Sequence, residues 1–247
     1  MKHLNQYINI KKASSKIKAT DHNIKTIIRE ELQRLGNDAD LNHIDVSGVT
    51  SLYSAFYDQT SSVGSGNKLK NINPDVSKWD THNVKHMGRC FYYCENFNND
   101  VSGWDTSNVI DMTEMFAMCR KLKDVSFSNW GTCNVKRTWS MFFNDQDFEG
   151  NGLENWDVRN VESMMNMFGW CVSFNCDLSS WETNSLRYMS GMFNHCRKFN
   201  CDLSKWDVSH LDFDIIGSSI APTFDYFISV TFKDCPMPKN CYPKFKK

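Results

Sequence analysis

At 247 residues the chain is long enough for one large domain or two small ones, and 40% hydrophobic with 23% charged residues supplies a core and excludes a disordered chain. The formal net charge of −1 hides two basic ends: residues 1–36 hold eight Lys/Arg against three Asp/Glu and residues 233–247 hold five against one, leaving 15 against 25 between them. A duplex nucleic-acid binder concentrates cations on its folded surface, so no nucleic-acid partner is expected, and an apolar set of 17 Phe, 12 Met, 10 Cys and 8 Trp points to reused positions.

In chain order, the opening Met1–Ile10 has neither an apolar core nor a small-residue cleavage site, so no Sec signal peptide is expected. No later apolar run is long enough to span a membrane. These features favour a cytoplasmic or virion-associated protein over a Sec-secreted one. Residues 1–20 read as a basic N-terminal tail, and residues 21–39 as an N-terminal helix and cap with its helical segment at Asn23–Leu35.

From residue 40 a repeat takes over. Tryptophans stand at 79, 104, 130, 156, 181 and 206, in steps of 25, 26, 26, 25 and 25, and a fixed period of this size is the mark of a stacked-repeat architecture. Other columns keep the register. Five residues after each Trp come Val84, Val109, Val135, Val161, Leu186 and Leu211; at eight, Met87, Met112, Thr138, Met164 and Met189; at eleven, Cys90, Met115, Met141, Met167 and Met192. An unbroken column follows at twelve: Phe91, Phe116, Phe142, Phe168 and Phe193. Position fifteen holds Cys94, Cys119, Asp145, Cys171 and Cys196, and position eighteen Phe97, Leu122, Phe148, Phe174 and Phe199. A degenerate first turn runs from Leu41 with Ile44 in the Trp place, then Val49, Leu52, Ala55 and Phe56.

Within each turn the apolar spacing predicts a short amphipathic helix, with Asn83, Asn108, Asn134 and Asn160 as oxygen acceptors at its start. The Asp-Val/Leu-Ser-x-Trp segments, such as Asp75–Trp79 and Asp202–Trp206, predict a short strand. The expected fold is thus α/β: a leucine-rich-repeat-like solenoid over residues 40–212, with one short strand and one short helix per 25-residue turn and caps at both ends. Residues 213–247 form the C-terminal cap and basic tail, with a strand expected in Ile220–Phe232. The step from Ile44 to Trp79 is 35 residues, so about ten residues near Gln59–Asn73 bulge from the first full turn.

The run Phe199-Asn-Cys-Asp-Leu-Ser-Lys-Trp-Asp-Val-Ser209, preceded by Met189-Ser-Gly-Met-Phe-Asn-His-Cys196, closely resembles the BspA-like leucine-rich-repeat surface protein family, over roughly Leu41 to Leu211. Members are similar to bacterial surface and adhesion proteins, and related repeats occur in mobile-element and phage open reading frames. The resemblance brings no catalytic residues and implies binding. The chain departs from the surface-protein pattern in showing no signal sequence, lipobox or wall anchor.

No chemistry-bearing constellation stands out. Cys94, Cys119, Cys171 and Cys196 read as buried structural thiols, with a disulfide or zinc site at the Cys171/Cys176 and Cys196/Cys201 pairs as the lesser alternative and Cys235/Cys241 as the pair most open to oxidation. Asp80, Asp105, Asp157, Glu182 and Asp207 read as turn-capping carboxylates in preference to calcium ligands. Ser62–Asn67 lacks the ending of a phosphate loop, and the seven histidines form no triad-like order. No catalytic residue, metal or cofactor is expected; the chain reads as a non-enzyme.

The candidate partner-binding residues are Tyr92 and Phe143, on a helical face opposite the core, with Tyr93 and Trp170 one position later, and Lys68 and Lys70 on the inserted loop. The expected core is the Trp79, Trp104, Trp130, Trp156, Trp181 and Trp206 column with the Phe column. The function so implied is recognition or adhesion toward a protein or glycan partner; the alternative is a structural subunit of a larger assembly, such as a phage virion, attached through its basic termini.

Overall fold

Residues one repeat apart in the chain lie on one another, because every layer spends its spare backbone amides on its neighbours. The computed structural model describes residues 16–58, 68–212 and 224–245. In the Trp104 layer five i→i+3 turns follow in series, closed by hydrogen bonds from Trp104 N to Val101 O, Val109 N to Thr106 O, Met115 N to Met112 O, Cys119 N to Phe116 O and Leu122 N to Cys119 O, at 2.8–3.2 Å. Between turns the amides alternate in direction. Met87, Arg89, Phe91 and Tyr93 donate to the carbonyls of Asp111, Thr113, Met115 and Ala117 of the next layer, at 2.8–2.9 Å.

This alternation overturns the expected helix in each turn. An α-helix would consume those amides within the layer; here two residues per layer take the left-handed conformation and turn the next amide along the stack. Ten residues after the Trp place stand Ser54, Arg89, Glu114, Ser140 and Asn166, at φ 51–57°, with Gly191 at 70°. At fourteen stand Tyr93, Met118, Asn144, Trp170 and His195, at φ 60–68°. Each non-glycine residue so placed costs about 1–2 kcal/mol, which the interlayer bond at that residue offsets. Among the described residues the α-helices are α1 (Ile24–Leu35) and α2 (Phe224–Thr231), outside the repeats.

The expected strands are displaced as well. Asp-x-Ser segments bend, since Ser77 N bonds to Asp75 Oδ1 and Ser102 N to Asp100 Oδ1, and of the first of them only Asp75 makes a bridge, to Asp40. The repeated parallel bridge runs one residue per layer through Ser51, His86, Asp111, Arg137, Ser163 and Tyr188, seven positions after the Trp place.

Side chains extend the ladders. Each indole N–H reaches back: Trp79 to Leu41 O, Trp104 to Val76 O, Trp130 to Val101 O, Trp156 to Phe127 O, Trp181 to Leu153 O and Trp206 to Leu178 O, at 2.9–3.1 Å. Buried threonines reach forward, Thr81 to Asp105 O and Thr183 to Asp207 O. The expected Asn caps are donors instead: the carboxamides of Asn83, Asn108, Asn134 and Asn160 bond to the carbonyls of Ser47, His82, Ser107 and Cys133, at 2.7–2.8 Å. With no helix start to cap, each amide group satisfies the carbonyl of the preceding layer.

Inside, like stacks on like. Phe91, Phe116, Phe142, Phe168 and Phe193 are fully buried, with successive centroids 5.5–5.9 Å apart and planes within 20°, the offset stacking that aromatic quadrupoles favour. Trp79 stacks on Trp104 and Trp130 on Trp156 in the same manner.

Both ends are closed. β1 (Ile17–Lys18), within the segment expected to be a plain tail, pairs in parallel with β2 (Ile44–Asp45), because Ile17 and Ala19 offer amides to the His43 and Asp45 carbonyls; residues 1–15 lie outside the described set. Helix α1 buries Ile24, Ile28 and Leu32 on one face and stops at Gly36, whose φ of 95° suits only glycine well. Asp21 accepts bonds from Thr50 N and Ser51 N of the first layer.

At the far end the strand expected in Ile220–Phe232 is helix α2 where it is described, and residues 220–223 lie outside. Phe224, Phe227, Ile228 and Thr231 recur at helical spacing. Beyond α2 the chain poses as one more layer: Phe193 N and His195 N bond to Thr231 O and Lys233 O, and Phe232 stacks on Phe193 at 5.9 Å.

Candidate partner-binding face

The left-handed residues decide which side chains face outward. Positions nine, thirteen and fourteen after the Trp place project from the core, and they carry rings. Tyr53 is 46% exposed, Trp139 44% and Trp170 41%. Of the residues expected from sequence, Tyr92, Tyr93 and Phe143 are half-buried and Trp170 is exposed.

The rings are fixed in place. Tyr92 meets Tyr57 edge-on at 5.0 Å and Tyr93 at 5.1 Å, and the Arg89 guanidinium lies 5.3 Å from its ring centre, within cation–π range. Burial pushes the Tyr92 phenol above its ordinary value. Phe143 covers Gly169, where a β-carbon would stand 3.1 Å from the ring, and Tyr53 covers Gly88 at the same distance. Trp170 lies tilted by 32° against the His195 imidazole, with ring centres 3.8 Å apart, and His195 Nδ1 lies 2.7 Å from Asp234 Oδ2. The Lys25 ammonium stands 5.7 Å from the Tyr53 ring centre.

Charges along this face pair between layers: Arg89 with Glu114, and Arg137 with Asp111 at 3.0 Å. Lys68 and Lys70 are exposed. The Lys70 carbonyl accepts from Asn96 as the Glu95 carbonyl accepts from Lys121, so Lys70 is in register with Glu95, at the border of the ring-bearing strip. The part of the inserted loop at residues 59–67 lies outside the described residues.

Tyr53 and Trp139 were not foreseen. Both occupy position nine, which an assumed helix places beside the core stripe and the actual turns place outside. Ala117, at position thirteen among the aromatics, is buried.

On another side a cleft of about 560 Å³ is lined by Glu149, Glu154, Asn175, Cys176, Asp177 and Lys198, among others. Its thiol is held toward the protonated form. Burial and the Glu154 carboxylate, 3.4 Å away, push Cys176 up to about 12, and burial pushes Cys201 up to about 12, beside Asp177 at 3.3 Å. The core thiols Cys90, Cys119, Cys171 and Cys196 are likewise held protonated by burial. The carboxylates of Asp105, Asp157 and Asp207 each accept the amide of the residue two further on. Among the described residues no group of three or more His, Cys, Asp or Glu side chains is placed to hold a metal ion, and no helix is long and apolar enough to cross a membrane.

No curated protein and no solved structure matches the chain. A protein family does, in three overlapping stretches at residues 28–130, 63–149 and 120–215, as a domain built from repeated units would. Together these stretches reach from α1 through the last Trp layer and take in more than half of the 247 residues. The chain belongs to the family described as Mycoplasma protein of unknown function, DUF285.

Proposed function

We propose that the chain is a non-enzymatic recognition module: a leucine-rich-repeat-like solenoid, akin to the BspA-like surface proteins, that holds a protein or glycan partner along its outward aromatic strip. The observation that carries this reading is the exposure of Tyr53, Trp139 and Trp170 on repeats whose Trp and Phe columns are buried. Exposed aromatics anchored by neighbouring layers resemble the preformed anchors of binding surfaces, since little conformational freedom is lost on contact. The paired charges Arg89–Glu114 and Arg137–Asp111 supply a polar border to those rings.

The test is binding of labelled full-length protein to glycan and protein arrays, compared with the double variant Trp139→Ala/Trp170→Ala. Hot-spot aromatics carry about 2 kcal/mol or more each, so signals bound by the wild type should fall at least tenfold in the variant. Equal binding by both proteins to every probe would overturn the reading.

A further inference from the structure

Position fifteen is a thiol column with one exception. Cys119 Sγ donates to Phe91 O at 3.1 Å, Cys171 Sγ to Phe142 O at 2.8 Å and Cys196 Sγ to Phe168 O at 2.9 Å. In the Trp130 layer that place belongs to Asp145, which has no exposed surface. Neither of its carboxyl oxygens has a hydrogen-bond partner of ordinary geometry among the described residues; the backbone amide of Cys119 faces it and weakly opposes the effect of burial, but donates to Phe116 O. The titratable groups facing it are the thiols of Cys119 and Cys171, one from each adjoining layer.

A carboxylate in that setting would be a buried charge without a counter-charge, and such groups neutralise instead. A neutral carboxyl carries one O–H, the same donor count as the thiol it replaces. Its backbone joins two turns, through Asp145 N to Phe142 O and Phe148 N to Asp145 O, both 3.2 Å. Its neighbours Phe143 and Asn144 bond to the layers on either side, Phe143 O accepting from Met118 and Asn144 N donating to Gly169.

We propose that Asp145 is a proton-gated joint, which keeps the Trp130 layer closed while its carboxyl is neutral and opens that layer when it ionises. The direction follows from proton counting. An unfolded chain loses this proton near the ordinary value of 3.8, whereas the folded chain retains it well above. Stability from this residue is therefore complete below the unfolded value, declines as pH rises, and is exhausted at the folded one. Opening would free Phe143 and Asn144 first, since they flank the joint on the aromatic strip.

The test compares full-length wild type with Asp145→Asn, close in shape and unable to ionise, and Asp145→Cys, the residue of the column. Urea unfolding at successive pH values above the ordinary Asp value should show the wild-type folded-to-unfolded ratio falling about tenfold per pH unit relative to both variants until the buried carboxyl ionises. Hydrogen exchange at Met118 and Asn144 should accelerate over the same interval in wild type alone. Infrared spectra of the wild type should keep a protonated carboxylic-acid band well above the usual Asp titration, absent from Asp145→Asn. Parallel pH profiles in wild type and whichever variant folds would overturn the proposal. So would a wild-type spectrum without that band, which decides the matter even where neither variant folds.

Discussion

Replacing Phe168 with alanine tests the stacked interior most directly. The ring has no exposed surface. It lies 5.9 Å from both Phe142 and Phe193, 4.1 Å from Phe174 at 12°, and 6.4 Å from Trp181. Truncating a buried Phe costs about 3–5 kcal/mol, the spread depending on how far the site collapses. Collapse is hindered here, because Phe168 N and O are both tied, to Met192 O and Cys171 N, and the rings above and below hang from equally tied backbones. Three stacked partners are lost as well, each pair contributing about 0.5–1.5 kcal/mol beyond its area. The loss should therefore fall in the upper half of the range, near 4–5 kcal/mol. Phe143→Ala, on the half-buried outer strip, is the control and should cost about 1 kcal/mol. Urea unfolding followed by tryptophan fluorescence measures both, and unchanged slopes would show that midpoint differences report stability. Equal midpoints for the two variants would refute the inward Phe column.

Two further outcomes are expected. Trp104→Phe keeps an aromatic in the column but removes the 3.0 Å bond to Val76 O; bond and lost ring together should cost about 2 kcal/mol, and an unchanged urea midpoint would contradict the indole ladder. In an Asp145→Asn background, acid should destabilise the chain: the Ser107 side chain and amide hold Asp105 below the usual carboxylate range, and the Ser179 amide does so for Asp177. A depressed folded value means that this stabilisation is present above about pH 4 and is lost as pH falls below it; a thermal midpoint constant through that interval would show that these turns contribute nothing.

The period and the buried columns were legible in the sequence because Trp, Val, Met and Phe each hold a place that only stacking can fill. The backbone between them was not. Apolar residues at five, eight and eleven after Trp satisfy an i, i+3 helix and a series of three-residue turns equally well. The distinguishing marks were faint: Asn144, Asn166 and Gly191 suit the left-handed conformation, but Arg89, Glu114 and Trp170 share those columns and give no such sign. A helical backbone also misplaces the surface: it points to Tyr92 and Phe143, which are half-buried, along with the exposed Trp170, and passes over the exposed Trp139 and Tyr53. At the C-terminus, Ile228-x-x-Thr-Phe-x-x-Cys235 repeats the spacing of Met189-x-x-Met-Phe-x-x-Cys196, and with Met replaced by Ile and Thr the echo passed unnoticed. Asp145 was visible as the odd member of its column, but its burial without a partner is a property of three dimensions.

The two-way side-chain ladders bear on how such a chain changes length. Each column indole looks to the layer behind and each buried threonine of the repeats to the layer ahead, so an incomplete unit strands donors on both sides of the break. Removing or duplicating one whole unit, from a Trp to the residue before the next, joins a backward-looking indole to an equivalent carbonyl and leaves no group unmatched. Gene rearrangements confined to that unit therefore keep both ladders matched, and the height of the stack becomes a quantity that selection can adjust in whole steps.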